Sequence, residues 1–216
     1  MLKGKKLVIF DFDGTLVDSM WAWRAVLPAA IERFDIDLHC TEKELSKMSM
    51  KRFSKHVADL FPDKLDADDV YKFCVDFIYN AYANEITVKK GAKEFLDYLK
   101  TTDIKICLAS ATEHALLEFA AEKHGLLGYF DFIITEDDVG ASKREPTIYL
   151  ESIKRAGVTK EETLIFEDVI HAVRTAHAAE IPLCAVYDEG MENYKEEIIS
   201  LANYYINDFT EIKKDA

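Results

Sequence analysis

The sequence contains no apolar run long enough to span a membrane, and its four cysteines form no closely spaced pair. A membrane-spanning helix needs about 20 consecutive apolar residues, so we expect no membrane partner. The lysines at positions 3, 5 and 6 precede an apolar stretch that is too short for a secretory signal. The wide cysteine spacing favours neither a disulfide framework nor a zinc site, and it predicts a reduced, cytoplasmic protein. The cysteines are Cys40, Cys74, Cys107 and Cys184, and the last two lie in apolar runs typical of a core.

The chain also lacks an excess of basic residues. Its 27 Lys and Arg residues face 40 Asp and Glu residues, which gives a net charge of -13. This balance disfavours nucleic acid and anionic membrane surfaces as partners. It does not exclude a small anionic substrate, because a bound metal ion can reverse the local field. Hydrophobic residues make up 49% of the 216 residues, which is enough for a substantial core. No large exposed apolar pattern stands out, so a monomer is expected.

A short apolar run near the start of the chain ends abruptly in two carboxylates, Asp11 and Asp13. Residues 7–10 are apolar at every position, which is typical of a parallel strand buried on both faces. Ligands of open α/β sheets bind at the carboxyl ends of such strands. Alternation along an extended chain places both carboxylates on one side and turns Phe12 into the protein. Two carboxylates this close repel each other unless a cation or a proton lies between them. Gly14 then allows the backbone to turn away.

The remaining sequence divides into a helical part and a part in which strands and helices alternate. Residues 18–85 show helical periodicity and no convincing strand, whereas strands and helices alternate from residue 86 onward. Short connections between alternating elements predict a doubly wound parallel α/β sheet. We therefore expect a sheet domain, 1–17 with 86–216, that is interrupted by an all-helical domain, 18–85.

Four helices are expected in the helical domain. The first begins at Asp18 or Ser19, and Pro28 should kink or break it. The second opens with a capping box at Thr41. The third is suggested by Phe53, Val57, Leu60 and Phe61, and the fourth covers 66–84.

Polar side chains also follow two later predicted strands. Ser110 follows the strand 104–109 and precedes a helix, so its hydroxyl suits either a phosphate oxygen or a helix N-cap. Glu167 and Asp168 follow the strand 163–166 and form a second pair of carboxylates. A lysine such as Lys143, in a loop before a helix, is by itself usually a solvated surface residue.

In combination, these segments resemble the four motifs of the haloacid dehalogenase superfamily of phosphotransferases. The first motif is Asp-x-Asp-Gly-Thr after a hydrophobic strand, which matches 11–15. Ser110 matches the hydroxyl of the second motif. Lys143-x-x-Pro146-x-x-Tyr149 resembles the third, with Arg144 where a proline is usual and Thr147 where an acid is common. Glu167 and Asp168 resemble the fourth, and Val169 and Ala172 stand at its usual Ser and Gly positions.

The resemblance implies a Rossmann-like sheet domain with an inserted helical cap. It also implies that Asp11 is the nucleophile and that Asp13 is the general acid and base. Ser110, Ala111 and Lys143 would bind phosphate together with Asp11. The implied cofactor is Mg²⁺, held by Asp11, the main-chain carbonyl of Asp13, Asp168 and Glu167.

These implied roles predict a Mg²⁺-dependent phosphatase that hydrolyses a small phosphorylated metabolite, such as a sugar phosphate, through an aspartyl-phosphate. The nearest alternative is a phosphosugar mutase of the β-phosphoglucomutase type, which usually has valine at the position of Thr15. A dehalogenase and a phosphonoacetaldehyde hydrolase both lack the equivalent of Asp13. A response-regulator receiver would be shorter and would have no helical insertion. A non-catalytic interaction protein is a further alternative because of the four departures from the motifs.

The sequence gives few indications of the substrate. Candidate substrate contacts are Thr15 in the first motif, Trp21 and Arg24 near the start of the helical domain, and Lys47 and Arg52. The last two belong to a basic cluster with Lys51 and Lys55, which could bind a second anionic group of the substrate. The alternative for this cluster is a solvated face in an acidic chain.

Overall fold

The computed structural model describes residues 1–38 and 48–213. The chain forms two compact units. The first comprises Met1–Asp18 and Thr87–Ala216, and the second comprises Ser19–Ile86. The first unit contains the sheet, and the second consists of helices in its described part. No helix within the described ranges is both long and apolar enough for a membrane span.

The first unit is built on a sheet of six strands, and every neighbouring pair is parallel. The order across the sheet is β3-β2-β1-β4-β5-β6, so the chain reverses direction across the sheet at the β1–β4 junction. The predicted doubly wound parallel α/β fold is confirmed. The strands are β1 (Leu7–Phe10), β2 (Lys105–Ser110), β3 (Phe132–Thr135), β4 (Thr163–Glu167), β5 (Leu183–Val186) and β6 (Tyr204–Ile206).

Nine α-helices are assigned within the described residues. Three belong to the second unit, and the other six lie in the five connections between strands of the sheet. In chain order they are α1 (Met20–Arg33), α2 (Met50–Leu60), α3 (Ala67–Asn84), α4 (Ala92–Leu99), α5 (His114–Lys123), α6 (Glu136–Val139), α7 (Thr147–Ala156), α8 (Ile170–Ala178) and α9 (Lys195–Leu201).

The first helix of the second unit differs from the expectation at one point. Helix α1 runs past Pro28 without the predicted break. A proline removes the hydrogen bond to the carbonyl four residues earlier, at Arg24, and both residues lie on the exposed side of α1, where water can solvate that carbonyl. At the start of α3, the Asp66 side chain accepts hydrogen bonds from the main-chain N–H groups of Asp68 and Asp69. The helix expected to open at Thr41 lies outside the described residues.

The sheet is buried on both faces, as expected for parallel strands. On one face, Leu7 and Ile9 belong to a core that includes residues of α7 and α8. On the other face, Phe10 stacks on Phe166 with ring centroids 4.9 Å apart, and Phe95 and Phe209 complete an aromatic cluster. The predicted core cysteines, Cys107 and Cys184, are fully buried. Packing on both faces fixes the carboxyl ends of β1 and β4, where the polar residues of the first and fourth motifs begin.

Gly91 precedes α4 and lies against the last segment of the chain. Its φ of +77° is in the left-handed region. A Cβ atom at this position would lie 2.7 Å from the main-chain nitrogen of Thr210. Gly4 has a similar φ of +76°, but a Cβ atom there would meet no atom within 4 Å. The two glycines share backbone strain and differ in the space around them.

We predict that Gly91→Ala lowers the free energy of unfolding by about 2–4 kcal/mol, because left-handed strain and a main-chain clash add together. Gly4→Ala is the matched control and should cost only about 1–2 kcal/mol, from the strain alone. Urea unfolding monitored by circular dichroism measures both values. Equal losses in the two variants would contradict the close approach of Gly91 to Thr210.

Candidate active site

The candidate site lies at the carboxyl ends of three adjacent strands. Asp11 directly follows β1, Ser110 ends β2, and Glu167 ends β4. Strand β1 lies between β2 and β4, so the sheet brings these three positions to one edge. Phe12 is fully buried, which agrees with the expectation that Asp11 and Asp13 point away from it. This edge is the point in a doubly wound sheet where a crevice forms.

Lys143 joins the first and fourth motifs. Its Nζ lies 2.5 Å from Oδ1 of Asp11 and 2.6 Å from Oε1 of Glu167. All three side chains are buried, and Glu167 is completely inaccessible. Burial by itself would lower the pKa of Lys143, but the two carboxylates outweigh it, so the pKa lies above its ordinary value. Lys143 is therefore a charged lysine inside the protein and not the solvated surface residue that its loop position suggests.

Two further side chains hold this lysine and its partner. The Tyr149 hydroxyl donates a hydrogen bond of 2.7 Å to Oε1 of Glu167, the same oxygen that receives Lys143. Oε1 of Glu136 accepts a hydrogen bond of 2.6 Å from the main-chain N–H of Lys143. The loop around Lys143 is thus anchored from both sides, although Arg144 replaces the usual proline of the motif.

Threonine hydroxyls contact two other carboxylates of the site. Thr15 is fully buried, and its hydroxyl donates a hydrogen bond of 2.8 Å to Oδ1 of Asp168. Thr112 donates a hydrogen bond of 2.7 Å to Oδ2 of Asp13. Thr15 was expected as a substrate contact. Its hydroxyl is directed to a carboxylate because β1 and β4 are adjacent and the chain beyond their ends places Thr15 beside Asp168. A contact of Thr15 with substrate stays a prediction.

Ser110 was a candidate for the N-cap of α5. The N-cap residue of that helix is Glu113, and no side chain caps it. Oγ of Ser110 instead accepts a hydrogen bond of 3.1 Å from the main-chain N–H of Thr112, within the turn that follows β2. Ala111 lies in the same turn and is exposed. The turn therefore leads into the helix without a side-chain cap.

The acidic residues of the site outnumber the one lysine that contacts them. Burial raises the pKa of Asp11 to about 8, with Lys143 acting against this shift and Glu167 and Asp13 adding to it. Burial also raises the pKa of Asp168 well above its usual range, and the charges of Asp11 and Glu167 raise it further. Both pKa shifts are upward, which indicates an environment in which an additional cation would be stabilised.

The geometry also suits a hard cation. Carboxylate oxygens of Asp11, Glu167 and Asp168 lie within 4.8 Å of one another. Oε2 of Glu167 and Oδ2 of Asp168 are buried and receive no hydrogen bond from any residue that the structure describes. Buried polar atoms normally have partners, and oxygen donors are the ligands that Mg²⁺ prefers. The residues present therefore fit a magnesium ion.

The other predicted substrate contacts belong to the second unit. On α1, Trp21 is half-buried and Arg24 is exposed, and Arg52 on α2 is exposed. Lys47 lies outside the described residues. Their contact with substrate stays a prediction.

Fold and site together define a doubly wound α/β enzyme with an acidic centre and a buried lysine. A model of the haloacid dehalogenase-like hydrolase family matches residues 8–186, and the chain belongs to this family. The superfamily recognised in the sequence is thereby confirmed.

Individual relatives are similar over most of their length. The chain is 26% identical to "Phosphorylated carbohydrates phosphatase" of Thermotoga maritima, covering 81% of each chain. It is 23% identical to "Phosphoglycolate phosphatase" of Nitrosococcus oceani, covering 89% of each. The solved structure of a HAD hydrolase, family IA, variant 3, from Entamoeba histolytica shares the fold, with a TM-score of 0.77 and 24% identity over 96% of this chain and 95% of that one.

We predict that Tyr149→Phe lowers the free energy of unfolding by about 1.5–3 kcal/mol, because it removes a hydrogen bond to a buried carboxylate. Tyr129→Phe is the matched control, since the Tyr129 hydroxyl donates to the exposed carboxylate of Asp97. The control should cost less than about 1 kcal/mol. Urea unfolding in EDTA measures both without a metal contribution, and a loss in Tyr149→Phe no larger than in the control would contradict the described contact.

Proposed function

We propose that this protein is a Mg²⁺-dependent phosphatase that hydrolyses a small phosphorylated metabolite through an aspartyl-phosphate on Asp11. Its family and its phosphatase-named relatives make it a hydrolase acting on phosphate esters. The metal, the substrate class and the role of each residue constitute the proposal. The observation that carries it is the contact of Asp11 with buried Lys143 at the edge of the sheet, beside two further carboxylates.

In the first step, an oxygen of Asp11 attacks the phosphorus atom of the substrate. A bond forms between Asp11 and phosphorus while the bond from phosphorus to the leaving alcohol breaks. Protonated Asp13 donates its proton to the leaving oxygen, so the product is a neutral alcohol. Lys143, Ser110 and the main-chain N–H of Ala111 would hold the oxygens of the transferred group, where the negative charge is concentrated.

In the second step, Asp13 acts as a base. It removes a proton from a water molecule as the water oxygen attacks phosphorus, and the bond from phosphorus to Asp11 breaks. Inorganic phosphate leaves, Asp11 is restored as a carboxylate, and Asp13 is protonated again for the next substrate. The two carboxylates therefore need different surroundings, and the structure pairs Asp11 with Lys143 and Asp13 with Thr112.

The metal would be held by Asp11, Asp168, Glu167 and the main-chain carbonyl of Asp13. A bound Mg²⁺ supplies positive charge that offsets the charge of the phosphoryl oxygens and lowers the pKa of nearby carboxyl groups. Lys143 remains necessary beside it, because its Nζ neutralises the Asp11 oxygen within hydrogen-bond distance. The unpartnered oxygens of Glu167 and Asp168 support this ligand set.

Substrate choice is assigned to the second unit, as the sequence suggested. Trp21, Arg24 and Arg52 are its candidate contacts, and each carries a side chain suited to a sugar ring or an anionic group. Two relatives are named for phosphorylated carbohydrates and for phosphoglycolate, which supports a small phosphorylated metabolite.

The test is phosphate release from a panel of sugar phosphates, nucleotides and small phosphorylated acids, with Mg²⁺ or with EDTA. We predict release that requires Mg²⁺ and that falls by at least about 1,000-fold in Asp11→Asn, because the nucleophile is lost. Asp137→Asn removes an exposed carboxylate on α6 and should leave the rate unchanged.

Three results would contradict the proposal. Phosphate release in EDTA at the rate seen with Mg²⁺ would show that hydrolysis does not require the metal. Interconversion of two sugar phosphates with little free phosphate would favour the mutase. A folded protein without either activity would favour the non-catalytic alternative.

A further inference from the structure

Thr112 lies between two residues of the proposed reaction, and no motif of the sequence assigns it a role. It is the second residue after β2, and Asp13 is the third residue after β1. Because β1 and β2 are adjacent and parallel, the turns that follow them meet. Thr112 is buried, with 7% of its surface exposed, so its hydroxyl has a fixed environment.

The hydroxyl and the main-chain N–H of Thr112 have different partners. The hydroxyl donates to Oδ2 of Asp13 over 2.7 Å, and the N–H donates to Oγ of Ser110 over 3.1 Å. An ionised carboxylate only accepts hydrogen bonds, so the threonine is the donor. The single residue therefore connects the proposed acid and base to the proposed phosphate-binding hydroxyl.

A helix cap does not account for this arrangement. The N-cap residue of α5 is Glu113, and the helix start uses neither side chain of the preceding turn. The Thr112 hydroxyl is directed to the neighbouring strand end, at a separation of 99 residues along the chain. A contact of this kind fixes the position of a carboxylate and adds nothing to the helix itself.

We propose that Thr112 is a positioning residue that orients Asp13 for proton transfer, an inference that rests on the proposed phosphatase function. A hydroxyl that donates to Oδ2 favours the proton of the carboxylic acid on the other oxygen, Oδ1. The proton is thereby directed to one side of the carboxyl group and is available to the leaving alcohol. The same bond holds the carboxylate in place when it accepts a proton from water in the second step.

This role predicts a dependence on the leaving group. An alkyl alcohol must be protonated as it leaves, whereas p-nitrophenolate leaves as a stable anion and needs little help from an acid. The value of kcat/KM reports the steps up to phosphoryl transfer to Asp11, so it isolates the acid role from the later hydrolysis. A purely structural role would lower kcat/KM for both kinds of substrate equally.

The experiment measures kcat/KM with Mg²⁺ for p-nitrophenyl phosphate and for the alkyl phosphomonoester that the wild type hydrolyses best. We expect Thr112→Val to reduce the alkyl value roughly 10- to 100-fold more than the p-nitrophenyl value. Thr112→Ser, which keeps the hydroxyl, should remain close to the wild type. Thr175→Val is a matched control, because the Thr175 hydroxyl donates only within α8.

A double-mutant cycle shows whether Thr112 acts through Asp13. In the Asp13→Asn background, Thr112→Val should cause almost no further loss for the alkyl substrate. If Thr112→Val does not fold, Thr112→Ala removes the same hydroxyl with a smaller side chain. Circular dichroism confirms the folded state of each variant.

The outcomes separate this inference from the proposed function. A wild type that hydrolyses neither compound would overturn both. If the wild type is active, two results would overturn the role of Thr112 alone. One is an equal loss of kcat/KM for both substrates in Thr112→Val, and the other is additive losses in the double variant. Selective loss for the alkyl substrate, restored by serine, would support it.

Discussion

The rest of the site depends on the two ion pairs that the ammonium group of Lys143 forms with Asp11 and Glu167. The lysine joins the end of β1, the end of β4 and the loop before α7 in one buried cluster. Removing it would leave two carboxylates buried without a counter-charge, a change that commonly costs about 3–5 kcal/mol. Tyr149 and Glu136 fix the positions of Glu167 and of the lysine main chain, so the cluster is rigid on both sides. The clustered carboxyl oxygens, two of which receive no hydrogen bond from the described residues, give the site its capacity for a cation.

The sheet topology explains why so few residues are needed to build this centre. Parallel strands bring their carboxyl ends to one edge, and the strand order reverses at β1 and β4, the place where sheets of this kind bind their ligands. Packing of Leu7 and Ile9 on one face and of Phe10 on the other prevents the strand from shifting its register. The proposed nucleophile, Asp11, and the proposed general acid, Asp13, are then separated by one residue, Phe12, whose burial keeps them on the same side.

The sequence predicts the strands well, because apolar runs such as Leu7–Phe10 are buried in the sheet and lead directly into a motif. It also predicts Asp11, Lys143 and Asp168 as members of one site through the order and spacing of the motifs. It does not predict the contacts of Thr15 and Thr112, since a threonine after a strand fits a cap, a turn or a ligand equally well until the neighbouring strand is known. The spacing between Lys143 and Tyr149 predicts that the tyrosine belongs to the third motif. It does not predict that the tyrosine hydroxyl bonds to Glu167, because that contact depends on tertiary packing.

The most direct test of the central claim is detection of the covalent intermediate on Asp11. In Asp13→Asn, p-nitrophenyl phosphate can still transfer its phosphoryl group because the leaving group needs no acid, whereas hydrolysis of the intermediate lacks its base. Rapid acid quench, digestion and mass spectrometry should show one phosphoryl group on the peptide that contains Asp11, with a matching burst of p-nitrophenol. Phosphoryl transfer to another residue, or steady phosphate release without a labelled peptide, would contradict the account.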